Sequence, residues 1–592
     1  MKKNFKDIWE FIELLDKLGQ LRRIKKAVSP EIEISKITDE ESKKENGGKA
    51  LLFENVIDNG KKTFPVATNL FGSDFRMSLS IGAKSLATCG DEIDALTKLA
   101  PPRSFSDIIA TAQKLLPLVK ITPKKVKSAP CQEVVKLGDD VDLTEIPVLK
   151  CWPHDGGRFV TLPLVFTKSI DGKMRNVGMY RLQIFDKNTT GMHWHVHKDG
   201  SHFFKEYEKA GKRMEVAVAI GADPSVIYSA TAPLPRGIDE ILLAGFLRKK
   251  GVRMVKCKTV DLEVPADAEF VLEGYVEPHE RRLEGPFGDH TGYYSMPDMY
   301  PVFHVTALTR KAKPIYCATL VGPPPMEDCY MAKATERIFL PLLRAVTPEI
   351  REYFLPWEGV FHNISIISIF KEFPAHARRL ASGVWGQGQM SFCKSVVTVG
   401  EDVDPSNLKK VWELMLNSFD PTSDIEISNG VLDVLDHSAP RALMGSKISI
   451  DLTPRDASEP PRQIKTLREL SDNDKSSIEN FVSNTLSDTI AVRFDNGFCA
   501  ISINKGMRCG AELLRTIADS KLFDGIFRAV VLFDSEIDIY NNSKILWKIF
   551  NNTDPARDIL IKESGLILVD ACKKTTADGY MREWPDDLSF DK

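Results

Sequence analysis

Two carboxylates lie five residues apart in a glycine-rich stretch of the sequence, at Glu284 and Asp289. The glycines and the proline of the segment Glu284 to Tyr294 predict a tightly curved loop. Paired acids in different environments can divide the roles of general acid and general base, because one of them is pushed toward protonation. Turn formation is the more common explanation of an acidic loop when nothing else supports catalysis.

An arginine and three histidines offer further binding groups. Arg181 follows Asn176 by five residues, and its guanidinium could hold a substrate carboxylate through two parallel hydrogen bonds. His193, His195 and His197 alternate along a predicted strand, which would place three imidazoles on one face, as in a transition-metal site. Packed or solvated histidines explain the triplet equally well, and a lone strand arginine is usually a surface charge.

The composition argues against several classes of function. The formal net charge of the 592 residues is −3, and no long basic block occurs, so nucleic acid is not expected as a partner. No apolar stretch approaches the roughly 18 residues of a membrane span. Ten scattered cysteines without a Cys-x-x-Cys pair predict buried thiols in a reducing cytoplasm. Phosphate-loop, dinucleotide and serine-hydrolase motifs are missing as well.

The elements that must position these groups fall into four segments of different pattern. The first and the last two alternate between helices and strands, whereas the second consists of short strands separated by turns, which predicts a β-barrel or sandwich. A helix at Ile8 to Leu18, ended by Gly19, opens the chain. Another, at about Tyr330 to Ala345, connects the second segment to the third. The four predicted domains are residues 1–128, 129–325, 326–489 and 490–592.

The second segment has one predicted helix, Asp239 to Leu247, among its strands. The predicted strands are Phe159 to Thr167, Val177 to Phe185, Met192 to His197, Met214 to Ile220, Phe270 to Val276, Val302 to Leu308 and Ile315 to Leu320. An α/β and β multidomain (α+β) protein is therefore the expected fold class.

The C-terminal third contains an internal repeat. Residues 364–425 and 499–559 both follow the order strand, helix, strand, helix, and both end in Asp-Pro-x-x-Asp-Ile. The stretch after the first copy contains Lys447, and the matching position after the second copy is Leu566. If this lysine contacts an anionic ligand, only the first copy is functional.

Six segments keep the order and spacing of one known family. They are Cys151 to Asp155, Asn176 to Arg181, Gly221 to Pro224, Val255 to Cys257 with Asp261 to Ala266, Leu272 to Tyr275, and Glu284 to Tyr294. Together they resemble the UbiD family of prenylated-FMN-dependent decarboxylases. The resemblance implies an N-terminal α/β domain, a central split β-barrel of flavin-reductase type, a C-terminal α/β domain and homo-oligomers. It also implies a flavin prenyltransferase as the supplier of the cofactor.

The same resemblance implies the residues that hold the cofactor and its ions. Asn176, His197 and Glu240 match the ligands of a manganese-type ion (Mn²⁺) that contacts the flavin phosphate. A potassium ion (K⁺) near Ser229 to Ala232 is also compatible with the family. The implied contacts to prenylated FMN are Met179, Tyr180, Arg181, His193, Trp194, His195 and Lys447.

Three further residues match the catalytic groups of the family. Arg181 would orient the carboxylate of the substrate, and Glu284 would tune both the arginine and the flavin. Asp289 would protonate the carbon after carbon dioxide leaves. In this scheme the protein contributes orientation and proton delivery in a dry pocket, while the cofactor supplies the difficult chemistry.

These observations favour a cytoplasmic aromatic-acid carboxy-lyase of ubiquinone or menaquinone biosynthesis. Its expected substrate is a polyprenylated 4-hydroxybenzoate or a related naphthoate, with at most peripheral membrane contact through the lipophilic tail. Three alternatives stay open. The first is a decarboxylase or carboxylase of small phenolic or cinnamic acids, the second a flavin-binding protein or flavin reductase, and the third a zinc hydrolase built on the three histidines.

Overall fold

The structure is a computed structural model that describes residues 4–98, 116–196, 198–486 and 488–591. The chain divides into two compact units. Unit 1 comprises Met1–Phe339 together with Asp586–Lys592, and unit 2 comprises Leu340–Pro585. The end of the chain therefore belongs to unit 1, although the chain reaches it through unit 2. The finer division into four domains stays a prediction.

A seven-stranded antiparallel sheet forms the centre of unit 1. Across the sheet, the strands are Arg175–Gly178, Pro163–Lys168, Met214–Ile220, Phe270–Glu284 and Asp298–Arg310, with Thr189–Gly191 and Val134–Leu137 both paired to the last. Met214–Ile220 is buried on both faces except at Glu215, because its sequence is almost entirely apolar. Within the described part of the chain, no strand pairing closes this sheet into a barrel.

Smaller sheets and helices surround this sheet. One four-stranded sheet has the order Leu21–Ile24, Ala50–Phe53, Val66–Thr68, Tyr316–Cys317. A three-stranded sheet consists of Lys124–Val126, Arg253–Lys256 and Glu263–Pro265. Three two-stranded sheets pair Phe159–Val160 with Leu182–Gln183, Phe287–Gly288 with Tyr294–Ser295, and Ile57–Asp58 with Lys61–Lys62. The helices are Ile8–Lys17, Glu33–Ser42, Asp74–Ser80, Asp91–Thr97, Asp199–Lys209, Pro224–Ser229, Glu240–Arg248 and Glu327–Val346. None of the helices described is long and apolar enough to cross a membrane.

Two predicted helices form as expected. Ile8–Lys17 buries its apolar side, is capped by the side chain of Asp7, and ends before Gly19, whose φ of 68° is the left-handed conformation that glycine tolerates. Glu240–Arg248 starts one residue later than predicted, because the Asp239 side chain accepts a hydrogen bond from the Ile241 amide and caps the helix.

Four predicted strands are wrong in their extent. Phe159 to Thr167 is divided into Phe159–Val160 and Pro163–Lys168, and Ile315 to Leu320 is reduced to Tyr316–Cys317. Val177 to Phe185 is interrupted after Gly178, where the Met179 amide donates to the Ala230 carbonyl instead of continuing the sheet. In place of the strand Met192 to His197, the structure has a strand at Thr189–Gly191 that gives way to irregular chain. The expected common strand face for His193 and His195 is therefore not formed, and His197 lies outside the described residues.

Unit 2 contains two five-stranded sheets with the same strand order and the same pattern of parallel and antiparallel pairs. The strands of the first sheet, in order, are Ile350–Phe354, Ile364–Ile369, Ser395–Gly400, Met444–Leu452 and Ile425–Val431. Those of the second sheet are Thr489–Asp495, Phe498–Ile503, Ala529–Asp534, Ile567–Asp570 and Ile559–Ile561. The helices of this unit are His376–Trp385, Leu408–Asn417, Pro421–Asp424, Asp472–Thr485, Gly510–Ser520, Asn542–Asn552 and Pro555–Asp558. One apolar cluster includes residues of both sheets, among them Val397 and Val531.

The ten cysteines form no disulfide, and nine of them are buried. Burial raises the pKa of the Cys89 and Cys131 thiols to about 12. Cys509, which immediately precedes the helix Gly510–Ser520, is the one cysteine that is partly exposed.

Candidate active site

Arg181 joins the two predicted catalytic acids in the interior of unit 1. Its Nε donates to Oε1 of Glu284 at 3.0 Å, and its NH1 group donates to Oδ2 of Asp289. The remaining NH2 group donates to Oγ of Ser295 at 3.0 Å, and the ring of Phe287 lies 4.5 Å from Cζ. The Arg181 side chain is only 9% exposed, so these contacts form in a largely dry environment.

The chain geometry on both sides of the acids fixes this arrangement. The long strand Phe270–Glu284 ends at Glu284, and residues 285–294 form the loop that carries Asp289, which we call the Asp289 loop. Inside the loop, the Asp289 amide donates to the Tyr293 carbonyl at 3.1 Å, and the Gly292 amide donates back to the Asp289 carbonyl at 3.0 Å. This turn sets the direction in which the Asp289 carboxylate leaves the backbone.

Asp155 holds the Asp289 loop from one side. Its Oδ1 accepts a hydrogen bond from the Gly288 amide at 2.7 Å, while Oδ2 accepts from the amides of Cys151 and Trp152. The Gly156 amide also donates to the Pro286 carbonyl at 2.7 Å. The sequence reasoning gave Asp155 no role; the only signal was its place at the end of the segment Cys151 to Asp155, which is shared with the family.

The surroundings of both predicted catalytic acids favour their ionised form. Burial by itself would raise the pKa of Glu284, but the charge of Arg181 and the hydrogen bond with His193 outweigh it and leave that pKa below its ordinary value. For Asp289, burial is outweighed by the hydrogen bond from His290 and the charge of Arg181, so its pKa lies well below its ordinary value. Sequence reasoning missed the contribution of His290.

His193 is placed by Glu284 rather than by a strand. Its Nδ1 lies 2.9 Å from Oε1 of Glu284, and its ring stacks on Tyr300 with 4.1 Å between ring centroids. Burial, followed by the charge of Arg181, lowers the pKa of His193, which favours the neutral imidazole. The ring of His195 lies 4.8 Å away, so the two histidines are neighbours despite the missing strand.

Two of the three predicted metal ligands lie in contact. Nδ2 of Asn176 lies 3.2 Å from Oε1 of Glu240, and Oε2 of Glu240 accepts from the Val177 amide at 2.9 Å. The Tyr180 hydroxyl lies 3.4 Å from Oδ1 of Asn176. The third predicted ligand, His197, is outside the described residues, and the residues that are described contain no group of three or more His, Cys, Asp or Glu side chains placed to hold a metal ion.

The chemistry of this pair suits a hard divalent ion. Carboxylate and amide oxygens are the ligands that such ions prefer, and both side chains are buried. Burial raises the pKa of Glu240 to about 7. A cation next to this carboxylate would favour its ionised form.

Two buried polar atoms among the predicted site residues are unpaired. Nε1 of Trp194 and Oε2 of Glu284 have no hydrogen-bond partner among the described residues. Buried polar atoms are normally paired, so unpaired ones commonly mark the place of a missing ligand or water. Trp194 and Tyr180 pack against the same backbone at Gly200, where an added Cβ would lie 2.8 Å from Trp194 Nε1. Met179, the remaining predicted flavin contact of this segment, is only partly buried.

Lys447 is the one predicted cofactor residue that belongs to unit 2. It lies on Met444–Leu452, and its ammonium group donates to the carbonyls of Ser391 at 2.8 Å and Cys393 at 2.7 Å. Burial lowers the pKa of Lys447 to about 8. Its contact with the flavin stays a prediction. Within unit 2, the two hydrogen bonds tie the strand Met444–Leu452 to the backbone at Ser391 and Cys393.

Three family models match the chain in order. They are described as the N-terminal domain of 3-octaprenyl-4-hydroxybenzoate carboxy-lyase at residues 12–96, its Rift-related domain at residues 124–324, and its C-terminal domain at residues 329–452 and 491–580. An uncharacterized protein of Archaeoglobus fulgidus is 47% identical over 451 residues, covering 76% of this chain and 92% of that protein. One of Helicobacter pylori is 38% identical over 592 residues, covering 98% of this chain and 94% of that protein.

Solved structures agree with the family models. A vanillic acid decarboxylase of Sedimentibacter hydroxybenzoicus in closed form has a TM-score of 0.68 at 26% identity, covering 82% of this chain and 99% of that one. An evolved dimeric form of the UbiD-class enzyme HmfF from Pelotomaculum thermopropionicum, in complex with prFMN, has a TM-score of 0.64 at 26% identity, covering 77% and 96%. The mixed α/β multidomain architecture described above is thus that of these decarboxylases. The chain belongs to the UbiD family of carboxy-lyases.

Proposed function

We propose that this protein uses a bound prenylated FMN to remove carbon dioxide from an aromatic acid. The observation that carries the proposal is the buried guanidinium of Arg181, which is held between the carboxylates of Glu284 and Asp289. A cation in a dry pocket recognises a substrate carboxylate, and a neighbouring acid can return a proton to the product. A plain flavin reductase would need neither function.

Arg181 would bind and orient the substrate. Glu284 holds the guanidinium through Nε and leaves its NH1 edge toward Asp289. An incoming carboxylate would compete with Asp289 for that edge, because forked pairing with a carboxylate is the strongest interaction a guanidinium makes. Glu284 stays buried throughout and fixes the position of the arginine.

Asp289 would deliver the proton. Its pKa is low while it is paired with Arg181. When a substrate carboxylate takes over that guanidinium, Asp289 loses a positive neighbour and gains a negative one, and both changes raise its pKa. Substrate binding therefore prepares Asp289 to take up a proton from solvent. As the bond between the ring carbon and the departing carbon dioxide breaks, that proton would pass to the ring carbon and leave Asp289 as a carboxylate again.

Asn176, Glu240 and His197 would hold a manganese-type ion at the flavin phosphate, and Met179, Tyr180, Trp194 and His195 would contact the cofactor. The unpaired Nε1 of Trp194 and Oε2 of Glu284 support a polar ring system at this place. When bound, the prenylated ring supplies an electron sink for the loss of carbon dioxide. A potassium ion near Ser229 to Ala232 is part of the same proposal.

The proposed substrate is a 4-hydroxybenzoate with a polyprenyl tail, or a related quinone precursor. Its support is the similarity to the family models, which are those of a 3-octaprenyl-4-hydroxybenzoate carboxy-lyase. A small phenolic acid is the second candidate, because the structural match with the vanillic acid decarboxylase of Sedimentibacter hydroxybenzoicus extends over 99% of that enzyme's chain. A zinc hydrolase loses support, since the predicted strand of histidines is not formed.

Further proposals concern architecture and setting. We propose that the central sheet belongs to a split β-barrel of flavin-reductase type and that unit 2 arose by duplication, which its two sheets of equal strand order support. We also propose that the chain has four domains, with boundaries near residues 128, 325 and 489. The protein would form a homo-oligomer in the cytoplasm, and a flavin prenyltransferase would supply its cofactor.

Co-expression with a flavin prenyltransferase tests these proposals directly. The released cofactor is identified by mass spectrometry, and the purified protein is then assayed for carbon dioxide release from polyprenylated and simple hydroxybenzoates. Turnover of the tailed acid in preference to vanillate or cinnamate supports the first substrate class, and the reverse order supports the second. A protein that carries no flavin and turns over no acid would contradict the assignment.

A further inference from the structure

We infer that the C-terminal tail, residues 586–591, is a positioning element of the active site that holds the Asp289 loop in place. This inference rests on the proposed role of Asp289 as the proton donor. The tail follows unit 2 in the sequence but belongs to unit 1, where it pairs with the loop. No role in the site was predicted for this segment.

Backbone hydrogen bonds join the tail to the Asp289 loop. The Tyr294 amide donates to the Asp586 carbonyl at 3.1 Å, and the Leu588 amide donates to the Gly292 carbonyl at 2.9 Å. Tyr293 and Asp587 form the antiparallel bridge between these two bonds. The tail thus acts as a short added strand along the second half of the loop.

This pairing acts on Asp289 through the turn inside the loop. The Asp289 amide is bonded to the Tyr293 carbonyl, and the Gly292 amide is bonded to the Asp289 carbonyl. The tail therefore fixes the same residues that define the backbone of Asp289. Freedom of that backbone would move the carboxylate away from Arg181, and a misplacement of about 1 Å can cost on the order of 100-fold in rate.

Apolar packing anchors the tail at its other end. The ring of Phe590 stacks on Trp152 with 4.3 Å between centroids, and Leu588 is 7% exposed in the same apolar cluster. Trp152 is itself fixed by a hydrogen bond from Nε1 to the Val321 carbonyl at 2.9 Å. A Cβ added to Gly288 would lie 2.2 Å from the Trp152 ring and 2.9 Å from Leu588, so the loop backbone touches both side chains.

Asp155 and the tail form their hydrogen bonds with opposite halves of the loop. Asp155 binds the Gly288 amide before Asp289, and the tail binds Gly292 and Tyr294 after it. Removal of the tail takes away neither the carboxylate of Asp155 nor the pairing of Phe287–Gly288 with Tyr294–Ser295. The expected result is a loop that stays folded but carries a poorly positioned acid.

Hydrogen exchange tests this inference without any catalytic assay. We compare the full chain with two test proteins, the chain shortened to residues 1–585 and the variant Phe590→Ala. The two controls are Asp591→Ala, at an exposed position, and Phe590→Tyr, which keeps an aromatic ring. In flavin-free protein, we expect the amides of residues 285–294 to exchange about tenfold faster in the shortened chain and in Phe590→Ala, and at the original rate in the two controls. The strand Ile364–Ile369 serves as the internal reference.

In flavin-loaded protein, the same variants should lower kcat by up to about 100-fold while KM and flavin content stay near those of the full chain. Unchanged exchange of residues 285–294 in both the shortened chain and Phe590→Ala would overturn the inference, as would a full kcat in both. If the shortened chain does not fold, Leu588→Ala takes its place beside Phe590→Ala. Faster exchange of residues 285–294 in a protein that decarboxylates no acid would support the role of the tail and would count against the proposed function alone.

Discussion

Arg181 and Asp289 form a buried ion pair between residues that lie 108 positions apart in the sequence. Such pairs add little stability compared with well-packed apolar residues, because both charges must leave water. Ordering two distant segments around them also costs conformational entropy. The chemistry of a carboxylate-binding site explains this pair better than the needs of folding do.

Asp289→Asn should leave flavin binding unchanged and suppress turnover. The amide is nearly the same size as the carboxyl group but cannot deliver a proton, so we expect a loss of roughly 100-fold to 10,000-fold in kcat. Flavin absorbance and carbon dioxide release, measured on the same preparation, separate the two effects. Activity near that of the original protein would remove Asp289 from the mechanism.

Glu240→Gln and His197→Ala should lower metal and flavin content together. The ion would neutralise the flavin phosphate, and without it the phosphate would face the remaining acidic groups. His193→Ala and His195→Ala should keep the metal, although either can loosen the flavin. Elemental analysis of the four variants checks this expectation. Zinc as the native ion, lost in all three histidine variants with no flavin bound, would favour the hydrolase instead.

Lys447→Met and Leu566→Ala compare equivalent positions of the two sheets in unit 2. Lys447→Met removes one buried and one part-buried hydrogen bond to backbone carbonyls, for which we expect a loss of about 1–3 kcal/mol in the free energy of unfolding. Leu566→Ala leaves a cavity in an apolar cluster and should cost about 2–5 kcal/mol.

Flavin content distinguishes the two variants further. If Lys447 also contacts the flavin, its variant should retain less flavin than Leu566→Ala at a temperature where both remain folded, because a positive charge near the phosphate is lost. Equal retention in the two variants would restrict Lys447 to its role within unit 2.

His437 should make unit 2 sensitive to acid. Burial lowers the pKa of His437 from 6.5 to about 3, and its Nε2 lies 3.2 Å from Oδ1 of Asn552. Because the unfolded chain binds the proton more readily, this contribution to stability is complete above pH 6.5 and is lost as the pH falls toward 3. At pH 5 the loss is about 2 kcal/mol relative to pH 8.

Chemical denaturation of the original protein and of His437→Gln at these two pH values measures the effect. Glutamine can still donate to Asn552 and does not titrate, so its variant should show a pH dependence weaker by about 2 kcal/mol. The same pH dependence in both proteins would contradict the assignment to His437.

Local sequence patterns predicted those helices and strands whose formation depends on residues close together in the sequence. The helix Ile8–Lys17 follows its apolar spacing and stops before Gly19, and the helix that begins at Glu240 follows the cap at Asp239. The strand Met214–Ile220 forms where an apolar run predicted it. In each case the helix cap or the apolar pattern that predicts the element lies within about ten residues of sequence.

The candidate site depends on contacts that local spacing does not contain. Arg181 meets Glu284 across 103 residues, and His193 takes its position from that glutamate instead of from a strand. The predicted strand Val177 to Phe185 does not reach Arg181, because the strand stops at Gly178. The resemblance to a family supplied the catalytic roles. The tail around Phe590 gave no signal, since one aromatic residue among acids predicts no contact.

The burial of the cysteines makes this protein convenient for spectroscopy. Maleimides react with the thiolate, and thiols that are buried and hard to ionise react slowly. Nine of the ten cysteines are buried, and burial raises the thiol pKa of eight of them, which leaves Cys509 as the most accessible thiol. A fluorophore or spin label added to the unmodified chain should therefore attach first at the start of the helix Gly510–Ser520, and it would report on unit 2 without a single substitution.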